Sequence, residues 1–301
     1  MNWDLCNYFM RNYFLLFSVF FILESYSQEV VDKDSLWVTR GNIAVLLNQT
    51  GFSDWVGGGT NNFSGTIKFD YEWELKNNGW NWLTNVESAF GLAKYKNAPF
   101  ARKIDDRILI QSILGREFTK NLSFSAFFNF TSQIGNGFKY KKNDENNEIR
   151  ELTTKIFSPS YFQLGSGFLW KKDEKLWINY SPLASRLIIV SKRFTENLLE
   201  NETYFGVAKD KSSRYELGAN LTFHSEGVLL ENVNYRQDLK LFSNYLENAS
   251  NIDLDYLAQI EIDVNPLLST QLIFQLIYDD NAISRLQVRE VFGVGVQLKL
   301  N

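Results

Sequence analysis

The chain has one cysteine and one histidine among its 301 residues. A single Cys excludes a disulfide framework and a cysteine zinc site. A single His excludes a multi-histidine metal centre. Basic excess is also missing: 31 Lys and Arg stand against 35 Asp and Glu, a formal net charge of -4, which argues against a nucleic-acid binder. Beyond the N-terminal segment no run reaches 18 apolar residues, so a helical membrane span is excluded there. What is abundant is aromatic: 25 Phe, 14 Tyr and 8 Trp in a chain that is 45% hydrophobic, too apolar for disorder.

The N-terminus reads as an export signal. Tyr13 to Leu23 is apolar apart from Ser18, Arg11 precedes it, and Ser25-Tyr26-Ser27 follows. A positive residue, a short apolar core and a small-x-small site are the parts a secretory signal requires. The apolar run is shorter than the ~20 residues of a spanning helix. Cleavage after Ser27 defines a signal over 1–27 and a mature chain over 28–301. Asp4 sits poorly in a positive region, so Met10 makes a cleaner start than Met1. Cys6, Met1 and Met10 all leave with the signal, and a thiol-free mature chain suits an oxidising compartment.

The remainder alternates with period two. Phe63, Gly65, Ile67, Phe69, Tyr71, Trp73 and Leu75 share one parity; Ser64, Thr66, Lys68, Asp70, Glu72, Glu74 and Lys76 share the other. Successive strand side chains point to opposite faces, so this strand has one greasy and one charged face. The pattern returns from Val233, Leu254 and Phe292. About twelve such segments follow one another, at 36–48, 62–76, 80–94, 102–117, 121–132, 161–171, 176–190, 213–224, 228–246, 252–264, 267–278 and 287–300. Each meets the ~9–11 residues a tilted strand needs to cross a bilayer, and exceeds the five or six usual in soluble sheets.

The connections alternate too. Tight turns are expected at Asn77-Asn78-Gly79, Thr119-Lys120, Lys172-Asp173-Glu174, Ser225-Glu226-Gly227 and Asn265-Pro266. Long ones are expected at 49–61, 95–101, 133–160, 191–212 and 279–286, with a short exception near Asn248 to Asn251. Short turns at one end and long loops at the other are the pattern of an outer-membrane barrel. Trp37, Trp73, Trp80, Trp82 and Trp170 fall on the greasy parity near the short-turn end, as an interfacial aromatic girdle requires. Trp177 breaks the parity, and Pro182 in the same strand predicts a bulge that shifts it. Pairing of the first strand with the last closes the sheet and leaves no edge that lipid cannot satisfy.

Several strings resemble a Bacteroidetes outer-membrane family known as domain of unknown function 3078. They are Ser53-Asp54-Trp55-Val56-Gly57-Gly58-Gly59 with Asn62 and Ser64, then Arg102-Lys103-Ile104-Asp105-Asp106, then Leu241-Phe242-Ser243-Asn244-Tyr245-Leu246 with Asn251-Ile252-Asp253. Ser269-Thr270-Gln271-Leu272, Ile277-Tyr278-Asp279-Asp280 and Glu290-Val291-Phe292-Gly293-Val294-Gly295 complete the order. The departures are Ile104 where the family has Thr, a short segment after Asp280, and the ending Leu300-Asn301 in place of an aromatic. The resemblance implies an outer-membrane barrel and no assigned activity.

Four groups of residues are candidates for function. The inward charges Lys68, Asp70, Glu72, Glu74, Arg236, Asp238, Lys240, Glu261, Asp263 and Arg289 either line a water path or pair across a narrow lumen and fill it. Asp105-Asp106 and Asp279-Asp280 map to the long-loop rim, where carboxylates either hold Ca²⁺ or pair with Arg102, Lys103 or Arg107. Trp55 with Gly57, Gly58 and Gly59 forms either a loop folded into the lumen or a tight turn beside a packed Trp. His224 reads as a solvated histidine beside the Ser225 turn, at the wrong end for lipid chemistry, and no Ser-His-acid arrangement is present. The stretch Lys141 to Glu151 is rich in Asn and charge and predicts a mobile loop.

These readings converge on an all-β, closed antiparallel transmembrane β-barrel of about twelve strands in a Gram-negative outer membrane. Its expected partners are outer-membrane lipid and the barrel-assembly machinery, with no nucleic acid. The leading expectation is a small-solute channel. The alternative is a filled barrel that presents loops 133–160 and 191–212 to a partner. No enzymatic activity is expected.

Overall fold

The computed structural model describes residues 36–50 and 60–300. The signal over 1–27 and the loop residues Trp55, Gly57, Gly58 and Gly59 lie outside them. In chain order the strands are β1 (Trp37–Thr50), β2 (Asn62–Asn77), β3 (Trp80–Tyr95), β4 (Arg102–Thr119), β5 (Leu122–Ser132), β6 (Gly137–Lys142), β7 (Glu148–Thr154), β8 (Ser160–Asp173) and β9 (Leu176–Ile189). They continue as β10 (Thr203–Tyr204), β11 (Val207–Ala208), β12 (Ser213–Leu230), β13 (Val233–Asn244), β14 (Ile252–Asp263), β15 (Leu268–Asp279) and β16 (Ile283–Leu300).

Twelve of these close into one antiparallel barrel in the order β1-β16-β15-β14-β13-β12-β9-β8-β5-β4-β3-β2. The seam pairs Gly41 with Leu300 through Leu47 with Val294, so the first and last barrel strands meet as the alternation requires. The outward parity is apolar and exposed, as at Ile67 (60%), Leu164 (59%) and Phe292 (60%). A belt of this extent suits hydrocarbon rather than water. Aromatics gather at its short-turn end: Trp37 lies edge-on to Trp82 with ring centroids 5.5 Å apart, and Tyr71 sits 4.7 Å from Trp73.

The parity shift at Pro182 is present and has a visible cause. Gly218 on β12 pairs with Ala184, and Asn220 with Ser181. Ala219 therefore faces both Pro182 and Leu183, which is a β-bulge. Before it Trp177, Asn179 and Ser181 are buried; after it Ala184, Arg186 and Ile188 are. Gly167 is required beside the bulge, because a Cβ there would lie 2.0 Å from the Tyr180 carbonyl oxygen.

Three expectations need correction. The Ser225-Glu226-Gly227 stretch is not a turn. β12 runs on to Leu230, and the chain reverses at Glu231-Asn232, where Asn232 takes φ +63°. Glu226 faces the lumen, and Gly227 makes room for the Tyr235 ring, whose Cε1 would lie 2.9 Å from a Cβ at Gly227. A glycine under an aromatic ring is a known strand device that mimics a turn signal in sequence. His224 is consequently not solvated; it is 7% exposed inside the lumen. The stretch Lys141 to Glu151, expected as a mobile loop, carries paired strand residues, because β6 and β7 form a hairpin there.

Candidate functional site

The lumen is crossed by its own side chains. β3 and β13 stand six places apart in the twelve-strand ring, so they face each other across the full diameter. Arg236 Nη2 on β13 donates to Glu87 Oε1 on β3 at 2.5 Å. The same guanidinium donates through Nε to Asp238 Oδ2 at 2.8 Å and lies 3.5 Å from Asp70 Oδ2. Glu87 also accepts from Arg107 Nη2 at 2.5 Å. Asp238 reaches His224 Nδ1 at 2.8 Å, and that imidazole stacks on Trp177 at 5.1 Å. One arginine thus holds carboxylates from three strands, β2, β3 and β13.

Beside this layer the lumen has a true core. Ile113, Phe127, Leu169, Trp177, Ala184 and Phe242 are buried together, and they come from β4, β5, β8, β9 and β13. Arg186 lies over the Phe242 ring at 4.1 Å and pairs with Glu216 and Asp253, each at 2.5 Å. Breaking a buried pair strands a charge and costs about 3–5 kcal/mol, so these contacts tie β9 to β12 and β14 across the core.

The ten predicted inward charges all reach the lumen. Glu72 pairs with Arg40, Glu74 with Lys171 at 2.7 Å, Asp263 with Lys299 at 3.1 Å, and Arg289 with Asp105. Lys68 donates to the Gln271 amide oxygen at 2.8 Å, and Glu261 accepts from the Gln297 amide at 2.8 Å. Lys240 lines a small void with Asp255 and Asp238. Glu87, Arg186 and Glu216 were missed by sequence reasoning, and Arg107, expected as a rim partner of the aspartates, pairs with Glu87 instead. Strand parity alone would have found Glu87, which alternates with outward Val86 and Ser88. Arg186 is inward only once the parity shift at the Pro182 bulge is applied, as Ala184 and Ile188 are.

The space left over is uneven. One cavity of about 530 Å³ is lined from β1, β2, β3, β4, β12, β13, β14, β15 and β16. On the other side of the Arg236–Glu87 layer the voids are about 20, 10 and 10 Å³, and a water needs roughly 10–15 Å³ by the same measure. Each is about the size of one or two waters.

The rim carboxylates separate. Asp105 turns inward to Arg289, whereas Asp106 accepts from Lys103 Nζ at 2.5 Å and from the Ile134 N–H at 2.6 Å. Asp279 and Asp280 instead join Asp253, with one oxygen of each within 4.8 Å of the others. Arg186 and the N–H groups of Asn281 and Ala282 already face this trio.

The long connections fold into an ordered outer layer. Arg102 covers the Tyr140 ring at 3.4 Å, and Arg150 covers Phe100 at 4.8 Å and Phe138 at 4.4 Å. Tyr204 stacks on Phe194 at 5.0 Å and donates its hydroxyl to the Thr153 carbonyl at 2.5 Å. Burial pushes the Tyr204 phenol pKa up, which keeps it in the donating form. Tyr204 thereby ties the 191–212 connection to the β6–β7 hairpin.

No curated protein matches the chain. Among solved structures, the translocator domain of the autotransporter NalP from Neisseria meningitidis is 9% identical, with 99% of this chain and 97% of that one covered and a TM-score of 0.41. The KdgM porin in complex with disordered oligogalacturonate is 8% identical, with 88% and 99% covered and a TM-score of 0.32. The OmpF complex of Salmonella typhi with daunomycin is 8% identical, with 87% and 97% covered and a TM-score of 0.29. A family model described as a protein of unknown function, DUF3078, matches residues 47–138, from the end of β1 into β6, and so supports the family that the sequence strings resemble.

Proposed function

We propose that the protein is an outer-membrane barrel of a Bacteroidetes cell whose lumen is held shut by its own charge network, and that it works through its outer surface. The observation that carries this reading is the Arg236–Glu87 bridge between diametrically opposite strands. An open pore has no use for a 2.5 Å contact across its diameter. The outer layer supports the second half: Tyr204 and the Arg102–Tyr140 contact brace the two long connections, and a braced surface loses less entropy when a partner docks. Lipid would cover the apolar belt, and the barrel-assembly machinery would insert the chain. No catalytic role is proposed for His224; its Nε2 faces the Glu226 carboxylate at 3.7 Å rather than a hydroxyl.

A second reading, a solute channel gated by this same layer, is favoured by the cavity of about 530 Å³ next to it. Swelling of proteoliposomes in an isosmotic small sugar separates the two. The shut-lumen reading expects swelling no faster than that of protein-free vesicles. Fast swelling would overturn it in favour of the channel.

A further inference from the structure

The cavity is not needed by a barrel that is merely shut, and its lining is not uniform. It reaches Arg40 and Lys299 near the short turns, whose side chains are 49% and 58% exposed. Toward the long loops its lining stops at Asp105 and Arg289, and the Asp105 side chain is only 5% exposed. Among the described residues it is therefore a vestibule open at the short-turn end, which faces the periplasm in an outer-membrane barrel. A volume of about 530 Å³ lies within the ~300–1,000 Å³ of small-molecule sites.

Most charges on its wall are satisfied within the wall. Arg40 pairs with Glu72, Arg107 and Arg236 with Glu87, Arg289 with Asp105, and Lys299 with Asp263. Two are not. Lys68 Nζ has the Gln271 amide oxygen at 2.8 Å and no carboxylate within 4.0 Å among the described residues. Glu261 accepts from the amides of Gln297 at 2.8 Å and Gln271 at 3.4 Å and has no cation within 4.0 Å among them. Gln271 touches both, so one amide separates an ammonium from a carboxylate that could otherwise have neutralised each other. Asp70 adds a weakly held carboxylate, 3.5 Å from an Arg236 nitrogen that is its one ionic contact among the described residues.

We infer that this vestibule is a binding site for a small zwitterion, a free amino acid or short peptide, with its carboxylate on Lys68 and its ammonium on Glu261 and Asp70. A neutral dipole fits because Lys68 and Glu261, which share Gln271 between them, are opposite in sign. A simple anion satisfies Lys68 but meets Glu261, and a simple cation has the reverse problem; like-charge juxtaposition is how a site rejects the wrong ligand. Neutral solutes lack the charge-assisted bonds, which are about twice as strong as neutral ones.

The test is calorimetric titration of the full-length folded barrel in detergent with glycylglycine. N-acetyl-glycylglycine and glycylglycine amide, each lacking one charge, are titrated beside it. The inference expects saturable binding of glycylglycine and at least tenfold weaker binding of both blocked forms. Lys68→Met and Glu261→Gln should each weaken glycylglycine at least tenfold while heat-modifiable gel mobility stays native. If either single variant fails to fold, the exchanged pair Lys68→Glu with Glu261→Lys keeps both charges in the vestibule and should retain binding within a few-fold. No glycylglycine binding by the native barrel, equal binding of a blocked form, or native affinity in Lys68→Met would overturn it. The readout is independent of conductance, so a leaky barrel and an empty vestibule are separate outcomes.

Discussion

Replacing Ile67 by arginine tests which solvent the outer face meets. Ile67 is outward on β2 and 60% exposed, and it lies six residues from Trp73 in the girdle at the short-turn end. At ~3.4 Å per residue and a tilt of about 40°, six residues rise about 16 Å along the barrel axis. The apolar band of such barrels is about 25 Å tall, so Ile67 sits within a few Å of its middle. An arginine at that depth costs about 2–4 kcal/mol, a shift of roughly 30- to 700-fold in the folding equilibrium. Leu230, 70% exposed at the short-turn rim, is the control, where arginine costs ~0–1 kcal/mol. The assay is reversible urea unfolding in phospholipid vesicles, followed by tryptophan fluorescence. Were the belt wet, both substitutions would stay within about 0.5 kcal/mol of neutral. Equal, small effects at the two sites would refute the lipid-facing assignment.

Other substitutions probe local geometry. Gly167→Ala should block native assembly, measured as loss of the heat-modifiable gel band, because its Cβ would meet the Tyr180 carbonyl oxygen at 2.0 Å; Gly65→Ala, 3.3 Å from the mobile Leu47 Cδ2, should assemble normally. Tyr204→Phe removes the 2.5 Å bond to Thr153, worth about 0.5–1.5 kcal/mol, and should speed trypsin cleavage of the outer layer roughly 2- to 10-fold without changing barrel stability; unchanged cleavage would sever the proposed tie. Asn232→Val places a β-branched side chain at φ +63° and should cost about 1–2 kcal/mol relative to Asn232→Gly in the same urea assay.

The barrel was legible because period-two alternation survives in single strands. Ile67, Phe69 and Tyr71 declare the lipid face and Lys68, Asp70 and Glu72 the lumen without knowledge of any neighbour. The Trp177 anomaly pointed to the Pro182 bulge for the same reason. Gly227 misled because a glycine that accommodates Tyr235 and a glycine that turns the chain look alike. The β6–β7 hairpin was hidden because its ordering comes from Arg102 and Arg150 stacking on rings, contacts with no periodic trace. Which inward charges meet was least legible. That Arg236 finds Glu87, 149 residues away, depends on ring order and stagger, and no single strand carries that information.

The claim of a shut lumen is tested most directly by single-channel recording in planar bilayers of the native barrel beside a Glu87→Ala, Arg236→Ala double variant. Removing both partners deletes the bridge without stranding either charge of the pair, and Asp238 keeps His224 while Arg107 keeps Asp105 and Asp255 nearby. The account predicts a silent native barrel and steady openings in the double variant, as the vestibule becomes continuous with the voids beyond it. Steady openings of the native barrel, at the same conductance as the variant, would contradict it.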